Sequence, residues 1–131
     1  MYSWIEEYTI KFAESDFNED KINNLLKNVV DSINTAFKDN NIEEKAEFDI
    51  DKKVIALPDC FIGYQIIENG LCFNKTDKNN SSKIVNSARV NFCLGYYIIV
   101  NKLSRTTGET IKYKEMSFDL IYKVIETLLT K

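Results

Sequence analysis

The sequence predicts an α+β fold in which a mostly antiparallel sheet of about five to six strands has two amphipathic helices packed on one face. Residues 21–37 place apolar side chains at intervals of three and four, which is typical of a helix with one buried side. From residue 47 onward the period falls to two, and short apolar runs alternate with turn residues, as in antiparallel strands. A second stretch with helical spacing, residues 118–129, follows the last strand.

Residues 3–14 fit two patterns. Ser3 and Glu6 have the spacing of a capping box, and a helix would place Trp4, Ile5, Tyr8 and Phe12 on one face. The same segment also alternates apolar and polar residues over positions 8–12, as a strand does. We expect the helix.

The helix at residues 21–37 has clear boundaries. Asn18 can cap its start, and Glu19 and Asp20 place negative charge at the positive end of the helix dipole. Lys38, followed by two asparagines that tolerate a left-handed stop, suits its end. The apolar stripe expected in the core is Ile22, Leu25, Leu26, Val29, Val30, Ile33, Ala36 and Phe37.

Four short strands in two hairpins are predicted after this helix. Pro58 cannot donate to a strand ladder, so we expect it to separate the first hairpin from the second. The polar stretch 75–83 holds almost nothing that could be buried and is predicted to be the longest exposed loop. The four strands are expected at residues 47–51, 54–57, 60–67 and 71–74.

Residues 90–103 have the strongest strand composition in the chain and are predicted to form one central strand, because both of its faces are apolar. Residues 84–89 before it could instead begin a short helix. A turn at residues 106–109 should lead to a strand at 110–116, and Ser117 can cap the closing helix. The two faces of the long strand would carry Phe92, Leu94, Tyr96, Ile98 and Val100, and Cys93, Gly95, Tyr97 and Ile99.

Length and charge limit the classes of function. A chain of 131 residues is expected to form a single domain, residues 1–131. Its 17 basic and 20 acidic residues give a net charge of −3, which disfavours sequence-specific binding to nucleic acid. No apolar run approaches the roughly 20 residues that span a bilayer, and acid stands where a signal peptide carries base. We therefore expect a cytosolic protein without a membrane partner.

No residue cluster has the pattern of a catalytic, metal or cofactor site. The chain contains no histidine, and Cys60, Cys72 and Cys93 are widely spaced in apolar surroundings, so we predict three buried free thiols. It also lacks a nucleophile elbow and a glycine-rich phosphate loop. The expectation is a protein that is not an enzyme and that needs no cofactor or metal ion.

Two strands with a polar face are the candidate interaction site. Strands of this kind suit the edges of a sheet, where unpaired backbone groups can pair with another chain. Opposite charges on two edges would also suit a head-to-tail contact, which closes into a ring when the rotation permits. The candidate interface residues are Glu47, Asp49 and Asp51 on one strand and Lys112 and Lys114 on the other.

The order of elements resembles that of tail terminator (tail completion) proteins of bacteriophages and phage-tail-like particles. The resemblance covers about residues 22–131. It comprises an amphipathic helix, a strand, an apolar strand entered through proline (LPDCFI, 57–62), a polar loop, a strand entered near an arginine (RVNFCL, 89–94) and a closing amphipathic helix. It is a resemblance of order and length and not of a signature motif.

The resemblance implies a structural role. Tail terminators form a ring, usually of six subunits, that caps the tail tube, stops its growth and joins it to the sheath or head connector. Copies of the chain and neighbouring tail proteins would then be its partners, and the protein would be made in the bacterial cytoplasm and end in a virion or tail-like particle. No catalytic residues are implied.

The alternative is a small acidic cytosolic binding protein of the immunity protein or secretion chaperone type, which neutralises or escorts one protein partner. An acidic net charge fits it equally well, and so does the surplus of aromatic side chains, which mark contact surfaces. Genes for tail sheath and tube proteins beside this one would favour the ring, and a single toxin or effector gene would favour the binder. The surplus tyrosines are Tyr64, Tyr96, Tyr97, Tyr113 and Tyr122.

Overall fold

A computed structural model of the chain describes residues 4–68, 70–80, 82–101 and 111–130. Within these ranges the chain forms three helices and one antiparallel sheet of seven strands. The predicted α+β class is confirmed, but the expected number of strands, five to six, was too low. The helices are α1 (Trp4–Ile10), α2 (Glu19–Asp39) and α3 (Phe118–Leu129). The strands are β1 (Glu47–Asp49), β2 (Val54–Ala56), β3 (Cys60–Ile67), β4 (Gly70–Asp77), β5 (Ile84–Cys93), β6 (Tyr96–Asn101) and β7 (Lys112–Tyr113).

The helix caps follow the predictions. The side-chain oxygen of Asn18 accepts a hydrogen bond from the Lys21 N–H at 2.9 Å, and Ser117 Oγ accepts one from the Leu120 N–H at 3.4 Å. Each bond satisfies an N–H group that has no partner inside its helix. Asn41 has a φ of 57°, the left-handed stop expected after α2. The N-terminal segment is helical over residues 4–10, as expected, and the predicted cap at residue 3 lies outside the described residues.

α2 and α3 bury their apolar stripes against one face of the sheet. The stripe of α2 is buried only as far as Val30, since Ile33 and Phe37 are half-buried and Ala36 is exposed. The predicted stripe was therefore too long by about two turns. The core contains Ile22, Leu26, Val29 and Val30 of α2, Leu120, Ile121, Val124, Ile125 and Leu128 of α3, and Ile55, Ile62, Tyr64, Leu71, Phe73, Ala88, Val90 and Tyr97 of the sheet.

The strands lie side by side in sequence order, and each pairs antiparallel with the next. The central hairpins, β3 with β4 and β4 with β5, have the longest ladders. Residues two apart on a strand share a face, and the sheet residues in the core all belong to one such face. The sheet is therefore an open meander with helices on one side.

The prediction of a single strand at residues 90–103 was wrong. The chain reverses at Leu94 and Gly95, which have φ values of 52° and 87°, as the two central residues of a type I′ turn require. Cys93 pairs with Tyr96 across this turn. The reversal also changes the predicted faces, because Phe92 now shares a face with Tyr97 and not with Tyr96. The two strands that replace the predicted one, β5 and β6, still lie in the interior of the sheet, as expected for this segment.

Two further segments differ from expectation. β4 continues through Asp77 and β5 begins at Ile84, so the exposed loop spans residues 78–83, and the alternative of a helix at 84–89 is wrong. A register shift between Lys75 and Thr76 lets the two strands stay paired to the end. Pairing with a neighbouring strand outweighs the polar composition there. The predicted turn at 106–109 lies outside the described residues.

Asparagine side chains fasten the connections between elements. The Asn34 amide donates to the Ala46 carbonyl at 2.9 Å and accepts from the Ala46 N–H at 2.7 Å, which ties the segment after α2 back to that helix. Asn86 donates to the Leu128 carbonyl and accepts from the Asn101 amide, both at 3.3 Å. The bonds to Ala46 and Leu128 satisfy backbone groups outside the sheet ladders, and the bond between Asn86 and Asn101 joins β5 to β6 through side chains.

The cysteines are not equally buried. Cys60 lies in the core, Cys72 is half-buried and Cys93 is exposed, so the prediction of three buried thiols is right for Cys60 and wrong for Cys93. Burial, helped by a hydrogen bond with Asp59, raises the pKa of the Cys60 thiol to about 11. A thiol with such a pKa is protonated and unreactive at neutral pH.

Leu26→Ala should lower the free energy of unfolding by about 2–5 kcal/mol, because it removes a fully buried side chain from α2. Ile33→Ala on the same helix should cost clearly less, since Ile33 is only half-buried at the margin of the core. Urea denaturation followed by circular dichroism measures both losses. Equal losses would mean that the core extends along α2 beyond Val30.

Protein stability should fall as the pH rises from about 10 to about 12. The buried Tyr64 hydroxyl donates to Asn23 Oδ1, and burial, with a smaller contribution from the Glu19 carboxylate, raises its pKa to about 12. In the unfolded chain a tyrosine ionises near pH 10, so the stabilisation is complete below that pH and is lost as the pH approaches the folded-state value.

Tyr64→Phe should flatten this part of the pH profile, and Tyr122→Phe, at an exposed site on α3, should leave it unchanged. Urea denaturation at a series of pH values measures the free energy of unfolding for each variant. The explanation fails if the profile of Tyr64→Phe is as steep between pH 10 and 12 as that of the unmodified protein.

Candidate subunit interface

The two predicted interface strands form the opposite edges of the described sheet. Among the described strands, β1 pairs only with β2 and β7 pairs only with β6. Strand edges carry unpaired backbone groups that can bond to another chain. The paired lengths are only three residues for β1 and two for β7. Short edges limit indiscriminate pairing, so any contact here needs further support from side chains.

On the β1 edge the carboxylates do not form the single row that was predicted. Glu47 and Asp49 are exposed on the face away from the helices, because Phe48 between them packs against the core. Asp51 is not part of the strand, since it lies in the turn that follows, where Asp49 also accepts a hydrogen bond from the Lys52 N–H at 3.1 Å. The turn begins earlier than the sequence pattern suggested.

The segment around this edge concentrates negative charge. Residues 42–51, which we call the acidic edge, contain five carboxylates and one lysine, a net charge of −4 against −3 for the whole chain. Two isoleucines of the segment are also exposed, Ile42 at 46% and Ile50 at 51%. The remainder of the chain therefore carries a net charge of +1, and the acidity is local.

The two lysines of the opposite edge have different environments. Lys112 lies on the outer face of β7, and its ammonium is 5.3 Å from the centroid of the Tyr96 ring. Lys114 was predicted to lie on the strand but follows it in a bend, with its ammonium 3.9 Å from the Glu6 carboxylate of α1. The strand ends early because the chain turns to bury Met116 in the core. Lys112 is thus the edge lysine, and Lys114 contacts α1.

α1 lies beside the β6–β7 side of the sheet. The carbonyl of Ile10 approaches Gly95 so closely that a Cβ on the glycine would be 2.1 Å from the carbonyl oxygen. Further along the chain, the Asp16 N–H donates to the Tyr97 hydroxyl at 2.6 Å, and the Phe17 ring packs edge-on against the Tyr97 ring at 5.5 Å. The direction of α1 is therefore set by backbone contacts and by a buried tyrosine.

The apolar side of α1 faces solvent. Trp4, Ile5 and Tyr8 lie on one side of α1, Phe12 lies in the turn directly after it, and all four side chains are exposed. We call them the aromatic face. The rings of Tyr8 and Phe12 contact edge to face with centroids 5.4 Å apart, and the Lys11 ammonium lies 4.5 Å from the Tyr8 centroid. Tyr8 and Phe12 therefore form one exposed aromatic pair, with Trp4 and Ile5 exposed on the same side of the helix.

The sequence interpretation did not include the aromatic face in the interface. The sequence does contain a signal for the helix, namely the capping box and the spacing of the four apolar residues. Periodicity tells which residues share a side of a helix but not whether that side points to the core or to solvent. What the sequence pattern does not show is that Gly95 leaves space for the Ile10 carbonyl, a contact that helps to set which side of α1 faces the sheet.

Within the described residues, no three cysteine, aspartate or glutamate side chains are grouped so that they could hold a metal ion. None of the described helices is both long enough and apolar enough to cross a bilayer. Comparison with protein-family models, with curated proteins and with solved structures finds no match to this chain. Its function therefore has to be inferred from its own surfaces.

Gly95→Ala should release α1 from the sheet, because the new Cβ would collide with the Ile10 carbonyl and a φ of 87° strains any residue with a side chain. Trp4 on α1 is the only tryptophan in the sequence, so its fluorescence anisotropy should fall as the helix becomes mobile. Gly63→Ala is the control, since the nearest atoms to its Cβ are 3.8 Å away. An unchanged anisotropy in a folded Gly95→Ala protein would show that α1 is held by other contacts.

Proposed function

We propose that this chain is a non-enzymatic structural assembly protein that contacts copies of itself head to tail through the two edges of its sheet. The observation that supports this most is the combination of position and charge. The acidic edge contains β1, and Lys112 lies on β7 at the other end of the meander. When the β7 edge of one copy joins the β1 edge of another, the pair still has one free edge of each kind. Further copies can therefore be added, and the series of subunits closes into a ring when the rotation between neighbours permits.

Charge alone does not supply the affinity of such a contact. Exposed ion pairs contribute about 0–1 kcal/mol each, and their main effects are on the rate of association and on register. The β7 edge is two residues long, so few backbone hydrogen bonds can be added there. An assembling subunit of this design needs an apolar contact in addition to its edges.

The resemblance to tail terminator proteins gives the proposal its particular form. In that form the subunits make a ring, usually of six, that caps a tail tube and contacts neighbouring tail proteins. The net charge of −3 per chain gives such a ring no general attraction for DNA that passes through it.

The second candidate function is that of a small acidic binding protein of the immunity protein or secretion chaperone type. The aromatic face of α1 favours it, since exposed Trp, Tyr and Phe side chains are enriched where one protein contacts another. The two candidates differ in stoichiometry, because the binder acts as a single copy on one partner and the assembly protein acts through its own copies.

Light scattering at several concentrations and at low and high salt should show assemblies larger than one chain, favoured by low salt. Lys112→Glu should weaken them, because it places like charge opposite the acidic edge of the next copy. Lys27→Glu makes the same change of charge at an exposed site on α2 and is the control. Adding Glu47→Lys to Lys112→Glu exchanges the charges and should restore part of the assembly.

A mass of one chain at every concentration and salt would rule out the assembly and leave the one-to-one binder. If Lys112→Glu and Lys27→Glu have equal effects on an assembly that does form, the contact does not use the β7 edge. Lys114 is left unchanged in this experiment, since its ion pair with Glu6 contacts α1.

A further inference from the structure

α1 is turned the opposite way from an ordinary surface helix. Such a helix faces the core with its apolar side and faces water with its polar side. In α1 the half-buried positions include Glu6 and Ile10, whereas Trp4 is 75% exposed. Phe12, in the turn that follows the helix, is 67% exposed. The contacts that hold the helix, with Gly95 and Lys114, leave the aromatic face uncovered. The exposure therefore results from how the helix is attached.

The aromatic face is large enough to form the centre of a subunit contact. A large aromatic side chain can bury roughly 150–250 Å², so the exposed parts of these four side chains amount to roughly 500 Å². If a second copy covers this surface with an equal area of its own, the contact buries about 1,000 Å² in total. That area approaches the lower limit for a specific interface. The two sheet edges would add the remainder.

Lys11 restricts what can cover this face. Its ammonium lies 4.5 Å from the centroid of the Tyr8 ring and 5.6 Å from that of Phe12, so any covering surface also takes the ammonium out of water. Removing a charge from water is costly unless an opposite charge meets it. The occupant must therefore present apolar side chains with carboxylates beside them. A second aromatic face does not, because it would bring two Lys11 ammonium groups together.

The acidic edge of another copy has the required chemistry. The exposed Ile50 lies between Asp49 and Asp51, and the exposed Ile42 precedes two glutamates. β1, in the acidic edge, and β7, on the side of the sheet where α1 lies, are six strand spacings or roughly 29 Å apart. A subunit cannot reach its own acidic edge with its own α1, but the next subunit in a head-to-tail contact can.

We propose that the aromatic face of α1 docks on the turn at Ile50 of the next copy, where Lys11 meets the carboxylates of Asp49 and Asp51. This inference rests on the proposed head-to-tail assembly and supplies the apolar contact that the edge charges lack. Trp4 is then buried only in the assembled state.

A photo-crosslinking residue, benzoylphenylalanine, in place of Tyr8 tests the contact in the full chain. Equal amounts of ¹⁵N-labelled and unlabelled copies are mixed, so that mass spectrometry identifies crosslinks between copies. The expected crosslinked peptide contains residues 42–51. A crosslink to the aromatic face of a second copy, or to any other surface, would overturn the inference.

Light scattering on the same sample separates the two proposals. If the protein assembles but no crosslink reaches residues 42–51, the inference fails and the head-to-tail assembly stands. If the protein has the mass of one chain at every concentration, both fail.

A second measurement uses fluorescence. The emission of Trp4 should shift to shorter wavelength as concentration rises and the indole leaves water. Ile50→Asn, at an exposed turn position, should weaken assembly about tenfold and move this shift to higher concentration. Ile84→Asn makes the same substitution at a 58% exposed site on β5 and should have little effect. Equal effects of the two substitutions would contradict the docking site.

Discussion

The rest of the structure depends on the burial of the apolar stripes of α2 and α3 against one face of an open sheet. An open sheet must have two edges, and a meander places the first and last strands there. The charged β1 and β7 are thereby held at opposite ends of one rigid layer. The surfaces proposed for assembly follow from this arrangement, since a closed barrel has no edges and a reordered sheet would place other strands there.

Much of this fold can be predicted from local chemistry. Asn18 and Ser117 cap helices because their side chains satisfy neighbouring N–H groups, and that is readable in the sequence. Pro58 ends β2 for an equally local reason, although β2 and β3 still pair with each other across it, which the sequence pattern did not indicate. The turn at residues 94–95 could not be predicted, because a leucine with positive φ has no turn signature and apolar residues continue on both sides of it.

The lengths of the strands depend on partners that are distant in sequence. Lys75 belongs to a strand because Ile62 and Asn86 flank it in the sheet, although its own neighbours suggest a loop. The same limit applies to the candidate interface. That β1 and β7 would suit edges could be inferred from their charges, but the displacement of Asp51 and Lys114 beyond the strand ends depends on where the chain must turn toward the core.

The packing of α2 on α3 also has a kinetic consequence. These helices flank the whole meander in sequence, so their contact closes a loop of about eighty residues, which is entropically costly unless the intervening strands are already paired. Every strand pair, by contrast, is a local hairpin. Folding should therefore form the hairpins early and complete the core only when α3 arrives. Until then the apolar face of the sheet remains open, and an incomplete subunit differs from a finished one by a large exposed surface that chaperones and proteases recognise.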